Sequence, residues 1–99
     1  MGAYLISFNL ARNQTYPDRL DQLLAQIQVG AWWGESGTVM VCESPEPIDE
    51  FCNRVLNPWS FDEVSDIAVI FDLESGEGRT KGRFRDYSLY SLVPWLKRL

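Results

Sequence analysis

Two runs, AYLISFNL at residues 3–10 and DIAVIFDL at residues 66–73, carry apolar side chains on both faces of an extended chain. In the first, Tyr4, Ile6, Phe8 and Leu10 share one face while Leu5, Ser7 and Asn9 share the other. Such a pattern suits a central strand, covered on both sides, better than an edge strand.

The segments between these runs alternate in period. Thr15 opens the first helical pattern, with Pro17 in its first turn and Asp18 three residues beyond the cap. Tyr16, Leu20, Leu23, Leu24 and Ile27 then follow helical spacing, and Gly30 supplies a stop. Ala31-Trp32-Trp33 and Thr38–Glu43, joined by Gly34-Glu35-Ser36-Gly37, read as a hairpin. Ser44-Pro45-Glu46-Pro47 opens a second helix with an apolar face of Ile48, Phe51, Cys52, Val55 and Leu56, which Asn57-Pro58 ends.

The order is therefore β-α-β-β-α-β. It predicts an α+β, ferredoxin-like sandwich: an antiparallel sheet with two right-handed crossovers that put both helices on one face and leave the other available. Residues 1–75 form this core. Residues 76–99 are expected to be an extension, made of a glycine-rich linker, a basic segment and a short C-terminal helix capped by Ser91, packed on the core or on a partner subunit.

Ninety-nine residues suit one domain, and the apolar fraction of 45% is that of a globular protein. No apolar run reaches the roughly 18 residues of a membrane span, and Met1-Gly2-Ala3 leads directly into a strand, so a cytoplasmic setting without membrane contact is expected. Cys42 and Cys52 fit neither a metal spacing nor a disulfide framework and read as small buried hydrophobes. The chain has no histidine. A Ser-His-Asp or Cys-His centre cannot be built within one chain, and catalysis would have to rest on carboxylates.

The strand YLISFNL, the tryptophan hairpin AWWGESGTVMVCE and the late strand DIAVIFDL together resemble the SinR-like small proteins. These are relatives of the CRISPR-associated Cas-two nuclease-like proteins and of the virulence-associated protein D ribonucleases. The ending VPWLKRL also resembles the SinR-like members. The resemblance implies a ferredoxin-like fold and a homodimer built across sheet surfaces or edges. It also implies that nuclease-like members place an aspartate near the end of the first strand, where paired subunits gather a divalent cation. The matching position here is Asn9, whose amide is neutral where a hard cation prefers carboxylate and water oxygens. No catalytic or metal-ligating residue is assigned, and Mg²⁺ or Mn²⁺ enters only with a nuclease alternative. No helix-turn-helix signature accompanies the SinR label.

Net charge is −5, but unevenly spread. Residues 1–78 hold 13 acidic and 3 basic side chains; residues 79–99 hold 1 acidic and 6 basic. Arg79, Lys81, Arg83 and Arg85 recur at every second position, so an extended segment places all four on one face, with Phe84 on the other. With Arg12 they are the nucleic-acid candidates; docking on the acidic body is the competing role. Trp32 and Trp33, adjacent in a strand, point to opposite sheet faces and, with Phe84 and Trp95, are the interface candidates. Asp62, Glu63 and Asp66, and again Asp72, Glu74 and Glu77, read as solvated acidic turns, with a weak cation site beside Gly76 and Gly78 as the alternative for the second.

The function expected is that of a homodimeric interaction module, non-catalytic or associated with nucleic acid. The alternatives are a metal-dependent endoribonuclease or other nuclease of the Cas-two or virulence-associated protein D type, and a protein-only adaptor.

Overall fold

The computed structural model describes residues 2–99. Its elements are β1 (Gly2–Asn9), α1 (Tyr16–Ile27), β2 (Trp32–Trp33), β3 (Val39–Ser44), α2 (Ile48–Val55), β4 (Ile67–Asp72), β5 (Gly78–Gly82), α3 (Ser88–Leu92) and β6 (Lys97–Arg98). They form an α+β fold around one six-stranded sheet of order β2-β3-β1-β4-β5-β6. The two runs that are apolar on both faces, β1 and β4, are central neighbours, paired antiparallel with Ile6 opposite Ile70.

Alternation along the strands divides the sheet into two faces. Tyr4, Ile6, Phe8, Met40, Cys42, Ala68 and Ile70 are buried together with Leu23 and Ile27 of α1 and Phe51, Cys52 and Val55 of α2. Both helices therefore cover this face. Fully burying side chains such as Ile70, Leu23 or Phe51 stabilises by about 1.5–3 kcal/mol each. Tyr4 lies flat on Phe51 with centroids 4.2 Å apart, and its hydroxyl donates to the Glu46 carbonyl. The ring thus fills the core while its one polar atom finds a partner at the rim.

Three expectations need correction. The sheet has six strands rather than four and is mixed rather than antiparallel, because β6 pairs parallel with β5. The glycine-rich linker contains β5, paired antiparallel with β4. Its glycines answer to close approach: a Cβ on Gly78 would lie 2.5 Å from Leu96 Cδ1, and one on Gly82, at φ +107°, would lie 2.0 Å from the Asp66 carbonyl oxygen. The last helix, α3, ends before Pro94, so Ser91 lies within it and does not cap it.

Thr15 occupies the N-cap position of α1, but its hydroxyl does not cap the helix. It donates to Asn13 Oδ1 and accepts from Arg19 Nε.

Cys42 and Cys52 are buried free thiols. Burial pushes them up to about 11 and about 12 respectively. The fold thus favours the neutral thiol. That preference contributes in full below the unfolded value of about 8.5 and is lost as pH rises towards about 12. Neither cysteine is expected to react with an alkylating reagent in the native protein at mildly alkaline pH, and both should react once it is denatured. Fast labelling of native protein would contradict this burial.

Candidate functional site

The second face of the sheet carries Leu5 on β1, Val39 and Val41 on β3, Ile67, Val69 and Phe71 on β4, and Trp33 on β2, since residues directly opposite share a face. An antiparallel sheet with one solvated face usually alternates apolar and polar residues along each strand. Here the outward positions are mostly apolar too, and those on β1, β3 and β4 are half-buried.

The C-terminal extension covers part of this face. Thr80 and Gly78 belong to it by register, opposite Val69 and Phe71, and both are buried. The Thr80 hydroxyl meets the Tyr90 hydroxyl at 2.8 Å, and Leu96 closes over Gly78. Beyond it, Leu5, Val39, Val41 and Val69 of β1, β3 and β4 stay partly accessible.

Asn9 is exposed at the end of β1, opposite Ile67. Among the described residues its side chain forms no hydrogen bond. With Ser7, Thr38 and Val69 it lines a shallow cleft of about 320 Å³ on the open face. Asp66, next in sequence to the Ile67 that faces Asn9, does not join it.

Asp66 is instead fully buried, against the expectation of a solvated turn. Its Oδ1 accepts from the Ala11 amide at 2.7 Å and its Oδ2 from the Asp62 amide at 2.8 Å, and Arg19 Nη1 pairs with Oδ2. Arg19 also donates from Nη2 to the Ala11 carbonyl at 2.8 Å. The pair ties the β1–α1 loop to the α2–β4 loop. Sequence reasoning passed over Arg19, which sits one position before Leu20 of the apolar stripe. Asp62 Oδ1 accepts from the Val64 amide, which holds that exposed carboxyl below its usual range. Asp72 caps its own turn through the Glu74 amide. Among the described residues no group of three or more acidic or cysteine side chains is arranged to hold a metal ion.

The alternating basic stripe divides. Arg79 and Lys81 share the helix-side face, opposite Ile70 and Ala68. Arg79 Nε donates to Asp49 Oδ1 at 2.7 Å in the first turn of α2, and this bond holds the Asp49 carboxyl below its usual range. Lys81 Nζ donates to the Leu56 carbonyl at 2.9 Å at the end of α2 and lies 5.8 Å from the Phe61 ring centroid. The two cations thus bracket α2, one on a carboxylate at its start and one where its dipole is negative. Arg83 and Arg85, beyond the strand, are exposed. Arg12 is exposed over the Tyr16 ring at 4.7 Å, at the other end of the molecule's sequence from this segment.

Trp32 and Trp33 do point to opposite faces, opposite Cys42 and Val41, and both are about half exposed at the β2 edge. Phe84 is half-buried, edge-on to Tyr90 at 6.2 Å. Trp95 is exposed and donates its indole N–H to the Gly76 carbonyl. The sequence reading also missed Arg98, whose guanidinium lies 4.9 Å from the Tyr87 centroid and 4.6 Å from that of Tyr90.

No family model, curated protein or solved structure matches this chain. Among the described residues no helix is long and apolar enough to cross a membrane.

Proposed function

We propose that this protein is a non-catalytic interaction module that pairs with a second copy of itself through the open face of its sheet. The observation that carries the reading is the row of Leu5, Val39, Val41 and Val69, apolar and partly accessible where a solvated face would be polar. Specific dimers bury about 800 Å² per partner. That is a modest share of this chain's 6139 Å² of accessible surface, and the sheet offers one broad side of a body 36 × 32 × 24 Å. Two such faces packed about 10 Å apart would interdigitate as a sandwich does.

We further infer a ferredoxin-like core. Strand order β2-β3-β1-β4, antiparallel throughout, with α1 and α2 packed on one face, supports a ferredoxin-like core to which β5, α3 and β6 are added. Kinship with the SinR-like proteins is consistent with that core and with pairing across a sheet surface.

Light scattering at micromolar concentration is expected to report a species of twice the 11.4 kDa chain mass. A single species of 11.4 kDa throughout would sink the proposal.

A further inference from the structure

We propose that the C-terminal extension binds a single-stranded nucleic acid through Arg83, Arg85 and Arg98, grouped around the tyrosine pair Tyr87 and Tyr90. This surface lies at the β5–β6 end of the same sheet face, next to the open row, and binding there is tested separately from pairing.

The structure selects these three cations from the six in residues 79–99. Arg79 is buried and salt-bridged to Asp49, and Lys81 is held at the end of α2. Lys97 stands opposite Arg79 on the helix-side face, where it acts on the same Asp49 carboxylate. Arg83, Arg85 and Arg98 remain; all are exposed, and none forms an ion pair among the described residues.

Packing brings Arg83 and Arg98 to one cleft, and Arg85 follows two positions along the chain. Arg83 and Arg85 flank Phe84, which is anchored edge-on to Tyr90. Arg98 stands opposite Thr80 in the β5–β6 pair, and so on the Tyr90 side, with its guanidinium against both tyrosine rings. Ring contact fixes the plane of a guanidinium while leaving its edge donors free for phosphate oxygens. Arg83 and Arg98 also line a cleft of about 300 Å³ with Lys81, on whose rim Glu63 is the acidic member.

One feature favours a single strand over other polyanions, and a second limits where any of them can touch. Tyr87 is 54% exposed beside the arginines, and an unpaired base can stack on an aromatic ring where a duplexed one cannot. The body, with 13 acidic against 3 basic side chains before residue 79, repels phosphate elsewhere, so contact is confined to this edge.

Fluorescence anisotropy with a labelled oligothymidine, read across a salt series, tests the proposal. The unmutated protein should bind at low salt, with affinity falling by a slope of about 0.7 per phosphate contact. Arg83→Ala with Arg85→Ala should flatten that slope by about 0.7 for each arginine, and adding Arg98→Ala should flatten it further. Tyr87→Ala should weaken binding by about tenfold, as loss of stacking does, with a smaller change in slope than Arg98→Ala gives, because Arg98 keeps its contact with Tyr90. Lys97→Ala should alter neither. Absence of binding at low salt, an unchanged slope in the double variant, or capture of phosphatidylserine vesicles without oligothymidine binding would overturn it.

Discussion

Asp66→Ala is expected to cost about 3–5 kcal/mol of folding stability, the usual loss when one partner of a buried ion pair is removed. The carboxylate accepts from the Ala11 and Asp62 amides as well as from Arg19. Without it, the guanidinium of Arg19, whose side chain is 9% exposed, keeps its charge in the interior, and two loops lose the group that joins them. Small domains hold only about 5–15 kcal/mol in total, so the variant should be unfolded in a large part of its population or melt on the order of 20 °C lower. Asp66→Asn should fall between, because an amide oxygen still serves one backbone N–H but carries no charge for Arg19. Urea unfolding measures both. A midpoint for Asp66→Ala within error of the unmutated protein would show that the pair does not hold the loops.

Asp66 also marks where sequence reasoning stops. In DEVSD it is one acidic residue among several, and nothing local tells it apart from Asp62 or Glu63. Its partner stands 47 positions away, and only the return of β4 alongside β1 brings the two together. By contrast, the central strands were legible because both of their faces are apolar, a property that needs no partner to be read. The helix faces of α1 and α2 were legible for the same reason: their spacing alone names Leu23, Ile27, Phe51 and Val55.

The C-terminal segment shows the opposite case. GEGRTKG reads as a linker because glycine weakens strands, yet Gly78 and Gly82 are the ends of one. What selects glycine there is the approach of Leu96 and of the Asp66 carbonyl, both distant in sequence. Alternation correctly put Arg79 and Lys81 on one face but could not say that α2 lies beneath that face. A carboxylate and a helix end take up both cations, and the free charge shifts to Arg83, Arg85 and Arg98. Arg98 carries no local signal, and its tyrosine stack comes from the parallel β5–β6 pairing. Trp33 was marked as an interface candidate by its neighbour Trp32. Leu5, Val41 and Val69 became candidates only when the sheet showed them on one uncovered face.

The second large effect concerns that face. Val69 lies between Ser7 and Thr80 across the sheet, and Val41 lies between Leu5 and Trp33. Both are half-buried on the outward face and outside the buried helix-side core, so an added carboxylate can reach water in a single chain. In a two-fold pair the same substitution enters the interface twice, and two like charges are desolvated together. Val69→Glu and Val41→Glu are each expected to raise the dissociation constant by about a hundredfold or more, as loss of a central contact does. The most direct measurement is sedimentation equilibrium on the unmutated protein and on Val69→Glu at matched micromolar concentrations, with urea unfolding run beside it. The unmutated protein should sediment at twice 11.4 kDa and Val69→Glu at 11.4 kDa, with the variant still folded. An unmutated protein that sediments at 11.4 kDa at every concentration, or a Val69→Glu variant that stays paired, would contradict assembly through the open sheet face.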